Sequence, residues 1–189
     1  MKDNNNGFTL VNFLIVFGTI VTAVLIGIFV IKNYSLSKKI SKTISQHESI
    51  YRFIVAYQFM CKTSSANVLT FKTCAGNNSE CKKGRIVTPG VTKISCSSKS
   101  VSAENVADYF VMHFNENGYV NYYNKKNAKI DENLKFCCLV KNTNPKKGQI
   151  YIYGDNKNNI IKIITNVGSK LSKDVYLINT VDWPGKDFK

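Results

Sequence analysis

The chain has 189 residues, 44% hydrophobic and 20% charged, and Lys plus Arg outnumber Asp plus Glu by 26 to 12, for a net charge of +14. That composition suits one modest globular domain plus one additional element. The scarcity of acidic residues leaves few groups for carboxylate-based catalysis.

The apolar residues crowd into one early block. From Phe8 to Ile31 there are 24 residues without a charge, against about 20 needed to span a bilayer as a helix. At ~1.5 Å rise per residue that helix is about 36 Å long, enough to cross ~30 Å of hydrocarbon with some tilt. A cleaved secretory signal has an apolar core of about 7–15 residues and a small-residue exit. Here the run is longer, and Lys32-Asn33-Tyr34 follows it instead. The small residue sits on the other side: Gly7 precedes Phe8-Thr9-Leu10-Val11, after the polar leader Met1–Asn6.

Gly-Phe-Thr-Leu at the head of a long apolar helix resembles the prepilin peptidase site of type IV pilins and type II secretion pseudopilins. The resemblance covers roughly residues 7–60. It implies cleavage between Gly7 and Phe8 by a prepilin peptidase, N-methylation of Phe8, and packing of the apolar helix against other pilin or pseudopilin subunits on an inner-membrane assembly platform. The chain departs from the family pattern in two places. Where most members carry a glutamate at the fifth mature residue, this sequence has Asn12. In the family that carboxylate is thought to neutralise the terminal amine of a neighbouring subunit, and an unpaired buried charge is costly. Asn12 accepts a hydrogen bond but cancels no charge, which resembles the tip-located minor pseudopilin of secretion systems. The helix also lacks the proline many major pilins carry, since the first proline is Pro89. An unkinked helix is therefore expected, with Gly18 and Gly27 as locally weak points.

No Gly or Pro interrupts residues 32–60, and Leu36, Ile40, Ile44, Tyr51, Ile54 or Val55, and Phe59 recur at steps of three, four and seven. That spacing predicts an amphipathic continuation of the same helix. Residues 61–100 read as irregular chain held by disulfides, with short strands at 67–71 and 85–87. Ser102 opens a second helix, with Glu104 in its first turn, one face of Val106, Phe110, Val111 and Phe114, and Asn117-Gly118 as its stop. Strand patterns follow at 119–123, 134–141, 149–153, 160–165 and 175–180, with a hairpin connection at 154–159. The expected fold is α+β: a leader (1–7), a membrane-spanning or filament-core helix (8–31), its amphipathic continuation (32–60), and a head (61–189) whose antiparallel sheet packs on the second half of the helix.

Six cysteines, Cys61, Cys74, Cys81, Cys96, Cys137 and Cys138, all follow the apolar run. Three disulfides in an oxidising compartment account for an even set, with fifteen pairings open. The rival is a metal site, but Cys-x-x-Cys spacing is absent and His47 and His113 stand isolated. As neighbours in an expected strand, Cys137 and Cys138 point to opposite faces and should take different partners. Lys32, Lys38, Lys39 and Lys42 after the apolar run favour a cytoplasmic head by the positive-inside tendency. The cysteines and the cytoplasm-facing Gly7 site argue for a periplasmic head, and carry more weight.

The basic balance also invites a nucleic-acid reading, with DNA as the partner. Lysines such as Lys82-Lys83, Lys125-Lys126 and Lys146-Lys147 are spread over the head, near Tyr122, Tyr123, Tyr151 and Tyr153. Aromatics can stack on single strands, although tyrosines in strands are more often half-buried sheet residues. Only Arg52 and Arg85 offer planar bidentate contacts. Neither a catalytic constellation nor a cofactor motif stands out, so the expectation is a minor pilin or pseudopilin of a pilus, secretion or competence machine, and not an enzyme. The alternative is a single-pass signal-anchored periplasmic protein that binds an anionic ligand such as DNA without filament assembly.

Overall fold

The computed structural model describes residues 10–64, 67–74, 89–97, 102–124, 137–139, 144–169 and 173–184. The chain divides into two compact units, Met1–Lys38 and Lys39–Lys189. Helix α1 (Leu10–Thr63) belongs to both, 54 residues without a break. The second unit takes in the helix from Lys39 onward.

In this second unit α1 buries Thr43, Gln46, His47, Ile50, Ile54 and Cys61. These positions meet the stripe expected from apolar spacing at Ile54, beside which Tyr51 and Val55 pack against the core, and depart from it elsewhere. Ile44 is 38% and Phe59 64% exposed, while Gln46 and His47 point inward. Two of the inward polar side chains find partners, one local and one across the fold, which lets polar residues stand on this face. Thr43 Oγ1 donates to the Lys39 carbonyl (2.9 Å), and His47 Nδ1 lies 2.7 Å from Thr165 Oγ1.

Helix α2 (Ala103–Glu116) forms where the spacing predicts it. The Ser102 hydroxyl accepts from the Asn105 N–H, Glu104 lies in the first turn, and Ala103, Val106, Ala107, Phe110, Val111 and Phe114 are buried. At the other end Asn117 Nδ2 donates to the His113 carbonyl (2.7 Å), and Gly118 takes a φ of 80° that a side chain would resist.

Strands β1 (Val68–Cys74) and β2 (Pro89–Ser95) pair antiparallel, from Val68 opposite Ser95 to Cys74 opposite Pro89. The second of these was not expected, because residues 61–100 read as irregular chain apart from short strands at 67–71 and 85–87; the latter lies outside the described residues. A four-stranded sheet orders β3 (Cys138–Leu139), β4 (Ile150–Asp155), β5 (Ile160–Asn166) and β6 (Tyr176–Asp182) side by side. The β4–β5–β6 run is an antiparallel meander, as expected, whereas β3 pairs with β4 in parallel. Along β5 the side chains of Ile161, Ile163 and Thr165 alternate inward, matching Ile150 and Ile152 on β4. The expected strand at 119–123 is instead a bridge at Val120 followed by a turn. Buried Asn121 diverts the chain there: its Nδ2 donates to the Lys147 carbonyl and its Oδ1 accepts from the Tyr123 N–H.

The core lies between α1, α2 and the sheet. Phe110 meets the rings of Phe53, Tyr57, Phe71, Phe114 and Trp183 at centroid distances of 5.2–6.1 Å. Gly154 on β4 lets α2 approach closely, since a Cβ there would stand 2.0 Å from the Ala103 backbone. Cys61 is bonded to Cys96, tying the end of α1 to the end of β2 across 35 residues.

The expectation of different partners for Cys137 and Cys138 is overturned: they are bonded to each other. The opposite-face argument needs a regular strand through both residues, but β3 begins only at Cys138. The side chain of Asn115 on α2 holds this backbone, accepting from the Cys138 N–H and donating to its carbonyl. Cys74 ends β1, and Cys81 lies outside the described residues.

Both histidines sit inside this fold, and burial pushes each imidazole below its ordinary value of 6.5. For His47 the Asn179 side chain and Glu48 pull partly the other way. For His113 nearby Lys72 adds to the depression, and its Nδ1 accepts the Lys72 backbone N–H (2.9 Å). A folded-state value below the unfolded one means that the unfolded chain binds protons first on acidification. The contribution is complete above the unfolded value of 6.5. It is lost as pH falls from there through the folded values. The urea midpoint should therefore drop as pH falls below 6.5, and less steeply in His113→Gln; a flat profile in the parent would contradict this.

Candidate functional site

The first part of α1 is the chain's most distinctive surface. From Leu10 to Ile31 its apolar side chains are exposed on every side, with Leu10 at 76% and Ile31 at 69%. A helix apolar all round needs an apolar surrounding, whether lipid or other helices. Its polar interruptions are met internally: Thr19 Oγ1 donates to the Val16 carbonyl (2.7 Å) and Thr22 Oγ1 to that of Gly18 (2.8 Å). That arrangement suits a medium without water. Gly18 and Gly27 have open space around them and do not break the helix. Among the described residues this is the one helix long and apolar enough to cross a membrane, as an anchor or a signal sequence. Asn12 lies within it, on an exposed position. The expected cleavage and methylation positions, Gly7 and Phe8, lie outside the described residues.

No family model, curated protein or solved structure matches this chain. Function has to be read from the residues themselves.

A second region gathers basic and aromatic side chains. Lys39 Nζ lies 5.7 Å above the Tyr123 ring and Lys42 Nζ 5.3 Å above that of Tyr122, within cation–π range. The turn forced by Asn121 brings both tyrosines to α1. The other two tyrosines of the sequence reading are placed differently: Tyr151 is buried at 3% and Tyr153 is half-buried in β4. Lys82-Lys83, Lys125-Lys126 and Arg85 lie outside the described residues, while Arg52 is exposed on α1. His47 and His113 are held by the hydrogen bonds of the core. Beside the Lys42–Tyr122 contact lies a cleft of about 290 Å³ lined by Lys42, Ser45, Gln46, Ser49, Tyr119 and Tyr122 with the end of α2. Sequence reading missed it. The one trace was polar residues on α1 at Lys42, Ser45, Gln46 and Ser49, spaced as one helix face.

Proposed function

We propose that this chain is a minor type IV pilin-like subunit, a pseudopilin, processed by a prepilin peptidase and assembled into or at the tip of a pilus, type II secretion or competence filament. The observation that carries the reading is a single helix with two different lives. Its charge-free first part, Leu10–Ile31, is bare on all sides, while the part from Lys39 onward supplies Ile50, Ile54 and Cys61 to the core of a disulfide-bonded α+β head. Such a helix stores the subunit in the inner membrane with the head in the periplasm. During assembly the same apolar surface exchanges lipid contacts for helix-on-helix packing. The test is the N-terminus of the membrane form. A mass matching residues 8–189 with one added methyl is expected; retention of Met1 where the peptidase is present, or cleavage beyond Ile31, would overturn the reading.

Asn12 bears on the subunit's place. A repeating shaft subunit buries its terminal amine beside a neighbour and needs a carboxylate to balance it. Asn12 supplies none, so this subunit is tolerated once, at a tip or initiation complex, and depends on a glutamate-bearing partner for surface display. In sheared filaments, quantitative mass spectrometry should find it rare, with Asn12→Glu raising its incorporation. Finding the wild-type chain to be the dominant filament protein would refute the minor role.

The second reading, a single-pass anchored periplasmic protein that binds an anionic ligand such as DNA, draws on the paired Lys39–Tyr123 and Lys42–Tyr122 contacts. It predicts no filament association and retention of the leader.

A further inference from the structure

We propose that the basic and aromatic cluster around Tyr122 and Tyr123 docks on the anionic lipid headgroups of the leaflet from which α1 emerges. The inference rests on residues 10–31 staying in the membrane as an anchor, which both readings above share, and on no step of filament assembly.

The cluster is held together by the fold of the head. Buried Asn121 donates through Nδ2 to the Lys147 carbonyl and accepts the Tyr123 N–H at Oδ1, so one amide fixes the tyrosine turn beside Lys146-Lys147. Gly148 makes room for the Tyr123 ring, since a Cβ there would stand 2.7 Å from its Cδ2. The Tyr123 hydroxyl donates to the Val167 carbonyl (2.6 Å), which pins that ring. Helix α1 adds Lys39, with Nζ 5.7 Å from the Tyr123 ring centroid, and Lys42, with Nζ 5.3 Å from that of Tyr122. Lys42 and Lys146 are exposed, and Lys39 and Lys147 half-buried. Residues 39–47, 117–124 and 144–149, which supply the cluster, contain no Asp or Glu. A cation held over an aromatic face keeps its charge, so the cluster is a fixed positive surface suited to phosphate groups.

The place of the cluster in the chain selects which phosphate. Lys39 follows Ile31, the last residue of the charge-free run, by eight residues in the unbroken helix. Eight residues of helix rise about 12 Å. A headgroup layer takes up about 5–7 Å, half the difference between a whole bilayer of ~40–45 Å and its ~30 Å hydrocarbon core. The remaining ~5–7 Å falls within the Debye length of about 8 Å at physiological ionic strength, where a lysine still feels an anionic surface. Flexible lysine stems can carry their ammonium groups further toward the phosphates. Tyrosine suits the same depth, with an apolar ring and a polar tip. Single-stranded nucleic acid offers similar chemistry, but the anchor brings only the lipid surface to the cluster. Tethering makes that contact intramolecular, so individually weak interactions suffice.

The test places the full chain in nanodiscs of phosphatidylcholine alone and of an equal mixture with phosphatidylglycerol, and follows backbone hydrogen exchange by mass spectrometry. Exchange over residues 119–124 and 144–148 should be slower in the anionic discs by at least about fivefold, the gain from one lysine at an anionic surface. Salt at ~1 M, where the Debye length falls to about 3 Å, should remove the difference. Lys39→Gln combined with Lys42→Gln should abolish most of it. Lys93→Gln combined with Lys157→Gln, at exposed lysines outside the cluster, should leave it intact. Each variant is compared between the two lipids, so a change in the fold itself cancels. Equal exchange in both discs, with the chain retained in them, would overturn the docking alone. A chain that leaves both discs would overturn it together with the anchor on which it rests. A full lipid effect in the Lys39→Gln, Lys42→Gln chain, or protection of the same segments in neutral discs by oligothymidylate as strong as that from anionic lipid, would also overturn the assignment.

Discussion

Replacing Phe110 by alanine lowers the unfolding free energy of the head by about 3–5 kcal/mol, the usual cost of emptying a large aromatic site. Phe110 is fully buried and touches rings from α1, α2, β1 and the segment after β6 at once. Its neighbours are themselves large and mutually packed, so the site collapses poorly and much of the cavity persists. Against a total margin of about 5–15 kcal/mol, such a loss brings the head close to unfolding. The readout is built in. Trp183 is the single tryptophan, 2% exposed, with its ring 5.8 Å from that of Phe110. Its fluorescence should report both the loosened packing and a large drop in urea midpoint. Phe59→Ala, at a site 64% exposed on α1, should stay within about 0.5 kcal/mol of the parent. A Phe110→Ala shift no larger than that of Phe59→Ala would mean that the aromatic cluster is not the centre of the core.

The second large effect is all-or-none. On the proposed reading, Gly7→Val abolishes maturation, and a precursor carrying Met1–Gly7 accumulates in the membrane. A glycine before the scissile bond lets the peptidase approach the backbone closely, and a β-branched side chain removes that freedom. Intact-mass measurement should find precursor only, with no chain starting at Phe8 and none displayed on the surface. A substitution at Asn6, outside the scissile pair, should leave processing intact. Normal cleavage of the Gly7→Val chain would place the recognition elsewhere and remove the main support for a pilin-like function.

The parts of the fold legible in advance were those in which local chemistry and tertiary packing agree. Ser102, Glu104, the Val106–Phe110–Val111–Phe114 face and Asn117-Gly118 each point to the same helix, and α2 occupies that span. The β4–β5–β6 meander has alternation on one strand and turn residues between. Where the two disagree, sequence reading went astray. On α1 the inward face also carries Thr43, Gln46 and His47, with Thr43 bonded to the Lys39 carbonyl and His47 to Thr165, so apolar spacing found Ile54 and missed these three. The turn at Tyr122-Tyr123 hangs on one buried amide, Asn121, whose partner Lys147 lies 26 residues away. The cleft itself needs α1, α2 and that turn together, and no single segment announces it.

The bond between Cys137 and Cys138 has a consequence for how the head acquires its covalent form. A cross-link between adjacent residues closes almost no chain, so it restrains the unfolded ensemble far less than Cys61–Cys96, which spans 35 residues. What it removes is competition. With two thiols consumed by each other, the remaining four can pair in three arrangements instead of fifteen. Oxidation of this neighbouring pair needs no long-range encounter, and in the folded head it lies beside Asn115 of α2. Once this pair is made, the long-range bridge to Cys61 has fewer wrong partners to choose from.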